Sequence, residues 1–302
     1  MNISRRKFIT SCTVAGIAGL SILNELLAAK TDLPGIRVGV CDWSLGIKGP
    51  DALDAAKRIK LDGIEISPAN GQDVLSYADP EVQKNYKLKV KETGVVISSL
   101  AITIMNKYPL ATDPRGQAWL GQTIDATESF GAGVILLAFF GRGDLLEKGG
   151  GKLNKEAVDA AVVRLKAAAP RAKEKGVILG IENTLSAEQN IQILDAVGHD
   201  AVKVYYDIAN SAKNGYNVPA EIKMLKDRIC QFHFKDNKGP FNSGDPEVGP
   251  IIDAVKAIGY QGWIILERAF GDDKEAYFSQ NAKYVRNAFG LKEPDYTGLL
   301  QQ

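Results

Sequence analysis

Across 302 residues, 37 lysines and arginines oppose 36 aspartates and glutamates, and 45% of the residues are hydrophobic. That balance excludes a disordered or fibrous chain, and a formal charge of +1 offers no basic field to select a nucleic-acid backbone. A globular protein with a large core and no nucleic-acid partner is expected.

The first thirty residues differ from the rest. MNISRRKFIT is basic and SCTVAGIAGLSILNELLAA is mostly apolar, which is the pattern of an export signal over residues 1–29. Arg5 and Arg6, with Ser4 before them and Lys7 and Phe8 after, are similar to the twin-arginine signal that exports folded proteins, so a periplasmic location is expected. Asn24 and Glu25 interrupt the apolar run, so a membrane becomes a partner only if this segment is retained. Cys12 belongs to the segment, and Cys41 and Cys230 fall on non-neighbouring strand candidates, so no disulfide is expected.

From residue 36 the chain alternates. Strand candidates are IRVGVC (36–41), GIEIS (63–67), VVISSLAI (95–102), GVILLAFF (133–140), VILGIEN (177–183), VKVYYDIAN (202–210), ICQFHF (229–234) and WIILE (263–267). Between them, segments such as DALDAAKRIKL, KEAVDAAVVRLKAAAPRAKEK and IIDAVKAIG carry apolar residues at helical spacing. Gly63, Gly94, Gly176 and Gly259 sit between helix and strand candidates, where a positive φ would end each helix.

Strands that are apolar on both faces and separated by helices belong to parallel sheets. Eight such units in about 250 residues is the size of a closed (β/α)8 TIM barrel, assigned to residues 30–290, with 291–302 as a C-terminal surface extension. An open doubly wound sheet is the alternative, but VCDWSLGIKG after the first strand lacks the glycine fingerprint of a dinucleotide turn. GRGDLLEKGGGKLN (141–154) reads as a long loop over one face of the barrel.

Active sites of such barrels lie at the carboxyl ends of the strands. Glu182, Asp207, His233 and Glu267 each close one of four consecutive strand candidates, at intervals of 25, 26 and 34 residues. Two like charges 4 Å apart repel by about 4 kcal/mol at an effective dielectric near 20, so three convergent acids call for a cation. Oxygen-rich donors with one nitrogen and no thiolate suit Mn²⁺ best, with Co²⁺, Mg²⁺ or Zn²⁺ as further choices. Each acid taken alone would sooner read as a helix cap or a surface charge, and it is the four in register that point to a cation.

GIENTLSAEQN (180–190), VYYDIAN (204–210), CQFHFKDN (230–237) and IGYQGWIILE (258–267) resemble the carboxyl half of the sugar phosphate isomerase/epimerase family with the xylose isomerase-like barrel. The resemblance implies one Mn²⁺-type ion on Glu182, Asp207, His233 and Glu267. It also implies proton transfer beside a ketose carbonyl, with Glu182 and Glu267 as the acid/base pair. One departure stands out: the family's epimerases commonly carry histidine three residues after the metal aspartate, and here that position is Asn210. An amide cannot take a proton.

Lys235 should face the same side as His233, because strand side chains repeat with period two. It either steadies an oxyanion or sits in solvent. Asn183, Glu188 and Asn210 are further substrate-contact candidates, and Trp43 could stack on a sugar face or fill the core; Glu65 has the same ambiguity. Glu188 could instead serve a helix N-terminus, and His199 belongs to the opposite end of the barrel. The expected activity is metal-dependent sugar isomerisation or epimerisation on a small carbohydrate. Two alternatives are an exported lyase or hydratase acting on 3-keto-glycosides by β-elimination, and a non-catalytic sugar-binding protein.

Overall fold

The computed structural model describes residues 35–69 and 73–296. Eight strands are present: β1 (Ile36–Cys41), β2 (Gly63–Ile66), β3 (Val96–Ile102), β4 (Val134–Ala138), β5 (Ile178–Glu182), β6 (Val202–Asp207), β7 (Ile229–Phe234) and β8 (Gly262–Leu266). All pair in parallel and in chain order, and β8 returns to β1 through Ile36↔Gly262 to Val40↔Leu266, closing the barrel. The expected (β/α)8 barrel is the fold, and the open sheet is not. The export-signal segment, residues 1–29, lies outside the described residues. Among those described, no helix is long and apolar enough to cross a membrane.

The barrel is jacketed by helices: α1 (Asp42–Leu45), α2 (Ala52–Arg58), α3 (Pro80–Thr93), α4 (Gly116–Phe130), α5 (Lys155–Glu174), α6 (Ala187–Val197), α7 (Ile208–Lys213), α8 (Val218–Leu225), α9 (Val248–Ala257) and α10 (Lys274–Phe289). In α5 the stripe Val158, Ala161, Val162, Leu165, Ala168, Ala169 and Ala172 is buried against the strands. Pro170 sits on its exposed side and interrupts the turn where no packing is lost. Ser186 and Gln189 form a reciprocal capping box on α6, which fixes how the chain leaves β5.

Two expectations change. Gly94, Gly176 and Gly259 do end helices with positive φ, but Gly63 lies inside β2 and Lys60 takes the left-handed turn before it, at φ 62°. Gly63 serves close approach instead, since a Cβ there would meet the Trp263 ring at 2.5 Å. The sixth strand stops at Asp207, short of the expected residue 210, because the Asp207 carboxylate accepts from Ala209 N and Asn210 N and starts α7.

The 141–154 loop is held by the buried Leu145 and by an antiparallel bridge between Leu146 and Leu153. Of the C-terminal extension, residues 291–296 are described. They fold back on the barrel, and the Tyr296 hydroxyl donates to Leu61 O.

Candidate metal centre

Parallel register sets the strand ends level, so the side chains that close β5 to β8 meet at one mouth. Asp207 pairs with His233 in the β6–β7 ladder, and Glu267 N donates to Phe234 O just past β8. His233 Nδ1 lies 2.7 Å from Glu182 Oε1, 3.9 Å from Asp207 Oδ2 and 3.7 Å from Glu267 Oε2. One ligand atom from each of these four residues lies within 4.8 Å of the other three. His233 is fully buried, and Glu182 and Asp207 nearly so.

Lys235 joins this cluster rather than the solvent. Its Nζ lies 2.6 Å from Asp207 Oδ2 and is paired with Glu267 Oε2, and the residue is 5% exposed. The Trp43 indole donates to Glu267 Oε1 at 3.1 Å and meets the His233 ring edge-on, with centroids 6.0 Å apart.

These contacts drive the two glutamates apart electrostatically. Burial pushes the Glu182 carboxyl up to about 7, against the pull of His233. Burial would raise Glu267 as well, but the ammonium of Lys235 and the ring of His233 outweigh it and hold that carboxyl well below its ordinary range. For His233, burial disfavours the charged ring, yet the surrounding thiol and acids together raise it well above its usual value.

The donor set fits a divalent cation on three counts. With His233 neutral, as a metal-bound imidazole has to be, three carboxylates against one ammonium would leave two negative charges, the charge that one such ion neutralises. Asp207 Oδ2 is buried, and the groups of the cluster that face it are the Lys235 ammonium at 2.6 Å and the His233 ring at 3.9 Å. One imidazole nitrogen with carboxylate oxygens is the chemistry of Mn²⁺ and its neighbours.

Above the cluster opens a cavity of about 600 Å³ whose lining includes Trp43, Glu182, Asn210, Lys235 and Glu267. Thr103, Asn106, Leu136, Ala138 and Phe140 form the wall from the β3 and β4 side, and Lys48 and Lys213 lie among the lining residues too. These wall residues escaped sequence reading because they are ordinary polar and apolar types in β4 and in the turns that follow β3 and β4, with no spacing that ties them to the acids.

Two candidates are turned to other work. The Asn183 amide is exchanged with Asn190, and its oxygen accepts from Leu185 N, so it braces the β5–α6 turn. Glu188 is exposed in the first turn of α6, where an acid complements the helix dipole. Neither lines the cavity. At the far end of the barrel His199 Nδ1 accepts from Ala201 N, and Cys41 and Cys230 are both free thiols.

Beneath the mouth lies a polar layer inside the barrel. Glu65, ambiguous in sequence, is fully buried, and its Oε2 is 2.8 Å from His233 Nε2. Cys41 Sγ approaches the same nitrogen at 3.4 Å, and burial pushes that thiol well above its ordinary pKa.

Residues 53–288 match the family model described as Xylose isomerase-like TIM barrel. A 2-epi-5-epi-valiolone 7-phosphate 2-epimerase from Actinoplanes sp. is 24% identical over 217 residues, which is 71% of this chain and 75% of that protein. Among solved structures, the D-allulose 3-epimerase of Methylomonas sp. in complex with D-allulose superposes with a TM-score of 0.71 at 16% identity, covering 85% of this chain and 98% of that one. A 3-keto-D-glucoside 4-epimerase from E. coli gives 0.69 at 13% identity, covering 83% and 99%. The chain belongs to the xylose isomerase-like TIM barrel family.

Proposed function

We propose that this member of the family is a divalent-metal-dependent sugar isomerase or epimerase, moving a proton beside a carbonyl by way of an enediolate. The observation that carries the reading is the convergence of Glu182, Asp207, His233 and Glu267 within 4.8 Å at the floor of a sugar-sized cavity. The names of the similar proteins, two of them epimerases of a ketose or a keto-sugar, support it. A divalent ion such as Mn²⁺, held by those four residues, would supply the positive charge that an enediolate requires.

The chain's own groups divide the rest of the work. Glu182 and Glu267 flank the cavity floor and are the proton carriers. The charged Lys235 Nζ, already between two carboxylates, is placed to meet a substrate oxygen that gains negative charge. Trp43 fixes Glu267 through its indole N–H and offers an apolar wall to a sugar face. Asn210 contributes an amide to the lining, able to hydrogen-bond a hydroxyl but not to accept a proton.

That last point favours a second reading, β-elimination from a 3-keto-glycoside, which needs one proton removed and a leaving group expelled rather than a proton returned to the opposite face. The twin-arginine pattern at Arg5 and Arg6 supports export, hence a free, oxidised or glycosidic sugar as substrate; subcellular fractionation tests that part.

The purified, Mn²⁺-loaded protein should be incubated with free ketoses and 3-keto-glycosides in D₂O. Deuterium next to the carbonyl, abolished by chelation and lowered about 10²- to 10⁴-fold in Glu267→Gln, is the expected result. Release of the aglycone instead of retained exchange selects elimination. Neither exchange nor elimination across both panels would refute the enzyme reading and leave a sugar-binding protein.

A further inference from the structure

His233 is held from both sides, and only one side faces the three acids at the mouth. Its Nδ1 points to Glu182 at 2.7 Å, with Asp207 and Glu267 beyond, and its Nε2 points down the barrel to Glu65 Oε2 at 2.8 Å. Both Glu65 and His233 are fully buried, so no water replaces this contact.

The hydrogen bonds around Glu65 run in one direction. Gln231 Nε2 donates to Ser99 Oγ at 2.7 Å and to Tyr205 OH at 2.9 Å. Ser99 in turn donates to Glu65 Oε1 at 3.0 Å, and Tyr205 donates to Oε2 at 3.2 Å. The Cys41 thiol, 3.6 Å from Oε2, can add a weak donor. An acceptor already receiving hydroxyl protons at both oxygens has no proton to give back, so the contact with Nε2 is made by the ring's N–H.

We propose that Glu65 is a positioning residue of the metal centre: its carboxylate takes the Nε2–H of His233 and so fixes the ring with the Nδ1 lone pair toward Glu182, Asp207 and Glu267. The inference rests on the metal-centre reading above. It assigns to β2, on the half of the barrel without ligands, the task of setting ligand orientation. The fully buried Tyr205 ring, its centroid 4.5 Å from that of His233, packs against the imidazole and limits its rotation.

The alternative occupant of the lower pocket is a second cation on Cys41, Glu65 and Nε2, whose ligand atoms also cluster. The geometry disfavours it. An N···O separation of 2.8 Å is that of a direct hydrogen bond, and the two hydroxyl donors already use the carboxylate.

The test uses the whole protein, and the presence of only two histidines makes it tractable. In Zn²⁺-loaded, ¹⁵N-histidine-labelled protein, long-range proton–nitrogen spectra should show His233 protonated at Nε2 with Nδ1 shifted by the metal; His199→Gln assigns the remaining signals. Zn²⁺ affinity, measured by competition with a chromophoric chelator, should fall about 10- to 100-fold in Glu65→Gln. A smaller loss is expected in Tyr205→Phe, which keeps the carboxylate and its packing.

If Glu65→Gln fails to fold, the tautomer of the wild-type ring still decides. Two bound ions per chain, or unchanged affinity in a folded Glu65→Gln, would each overturn the inference while leaving the metal centre standing, whereas protonation at Nδ1 would overturn both the inference and the place of His233 among the ligands. A wild-type protein that binds no divalent ion would instead overturn the metal-centre reading, and this inference with it.

Discussion

The two halves of the barrel share a backbone plan and differ in what closes their strands. β5 to β8 end at or within one residue of Glu182, Asp207, His233 and Glu267, whereas β3 and β4 end in Ile102 and Ala138, and the wall on that side is Thr103, Asn106 and Phe140. One half concentrates charge that has to be neutralised. The other supplies shape, and from beneath, through Glu65, the orientation of the one imidazole. The difference teaches that a cluster of like charges in a low-dielectric mouth is eased when a counter-charge is built in, here Lys235, and a neutral donor, the Trp43 indole, is added beside it.

Removing the internal counter-charge should break the contrast most severely. Lys235→Met leaves the buried Asp207 and the half-buried Glu267 without their ammonium, and loss of one partner of a buried pair costs about 3 to 5 kcal/mol. Urea unfolding after chelator treatment should show that loss, with a smaller one when Mn²⁺ is present in excess. Equal losses under both conditions would mean that the lysine acts by packing alone.

A wall substitution should separate shape from charge. Leu136 is 1% exposed on β4 and packs with Ala101, Ala138 and Tyr205. Leu136→Ala should cost about 2 to 3 kcal/mol through the space it leaves, yet shift Mn²⁺ affinity less than twofold. A tenfold loss of affinity would show that the wall also tunes the ligands.

The smallest effect concerns pH. Asp42, at the start of α1, is fully buried, with Ser67 N and Oγ donating to it at 3.0 and 2.7 Å. Burial outweighs those bonds and pushes its carboxyl up to about 6. A raised folded-state value means that its stabilisation is complete below the unfolded value of about 4 and is lost as pH rises through about 6. Relative to wild type, Asp42→Asn should therefore gain on the order of 2 kcal/mol in going from pH 4 to pH 7. Unfolding midpoints at the two pH values check the sign, and a parallel decline in both proteins contradicts it.

Much of this architecture was legible because parallel barrels impose a rhythm on the chain. Both-face apolar strands and one-stripe helices repeat with a fixed spacing, and acids or imidazole recurring one unit apart must arrive at one height. Tertiary pairing altered the local endings. Asp207 stops β6 by capping α7, and Gly63 is small for the sake of Trp263 rather than for a turn. Asn183 and Glu188 shared a segment with Glu182, but side chains beyond a strand end are aimed by the turn, and here Asn183 braces the turn through Asn190 while Glu188 lies exposed in the first turn of α6.

By itself the sequence determined the eightfold beat, the four candidate ligands and the parity that sends Lys235 the same way as His233. Only the closed barrel decided that Lys235 is an internal counter-ion and that Glu65, 168 residues from His233 in the chain, is its partner across the interior. The reason is physical. Spacing along a strand fixes which face a side chain takes, whereas contacts across a barrel's lumen depend on closure, which joins residues that no local pattern relates.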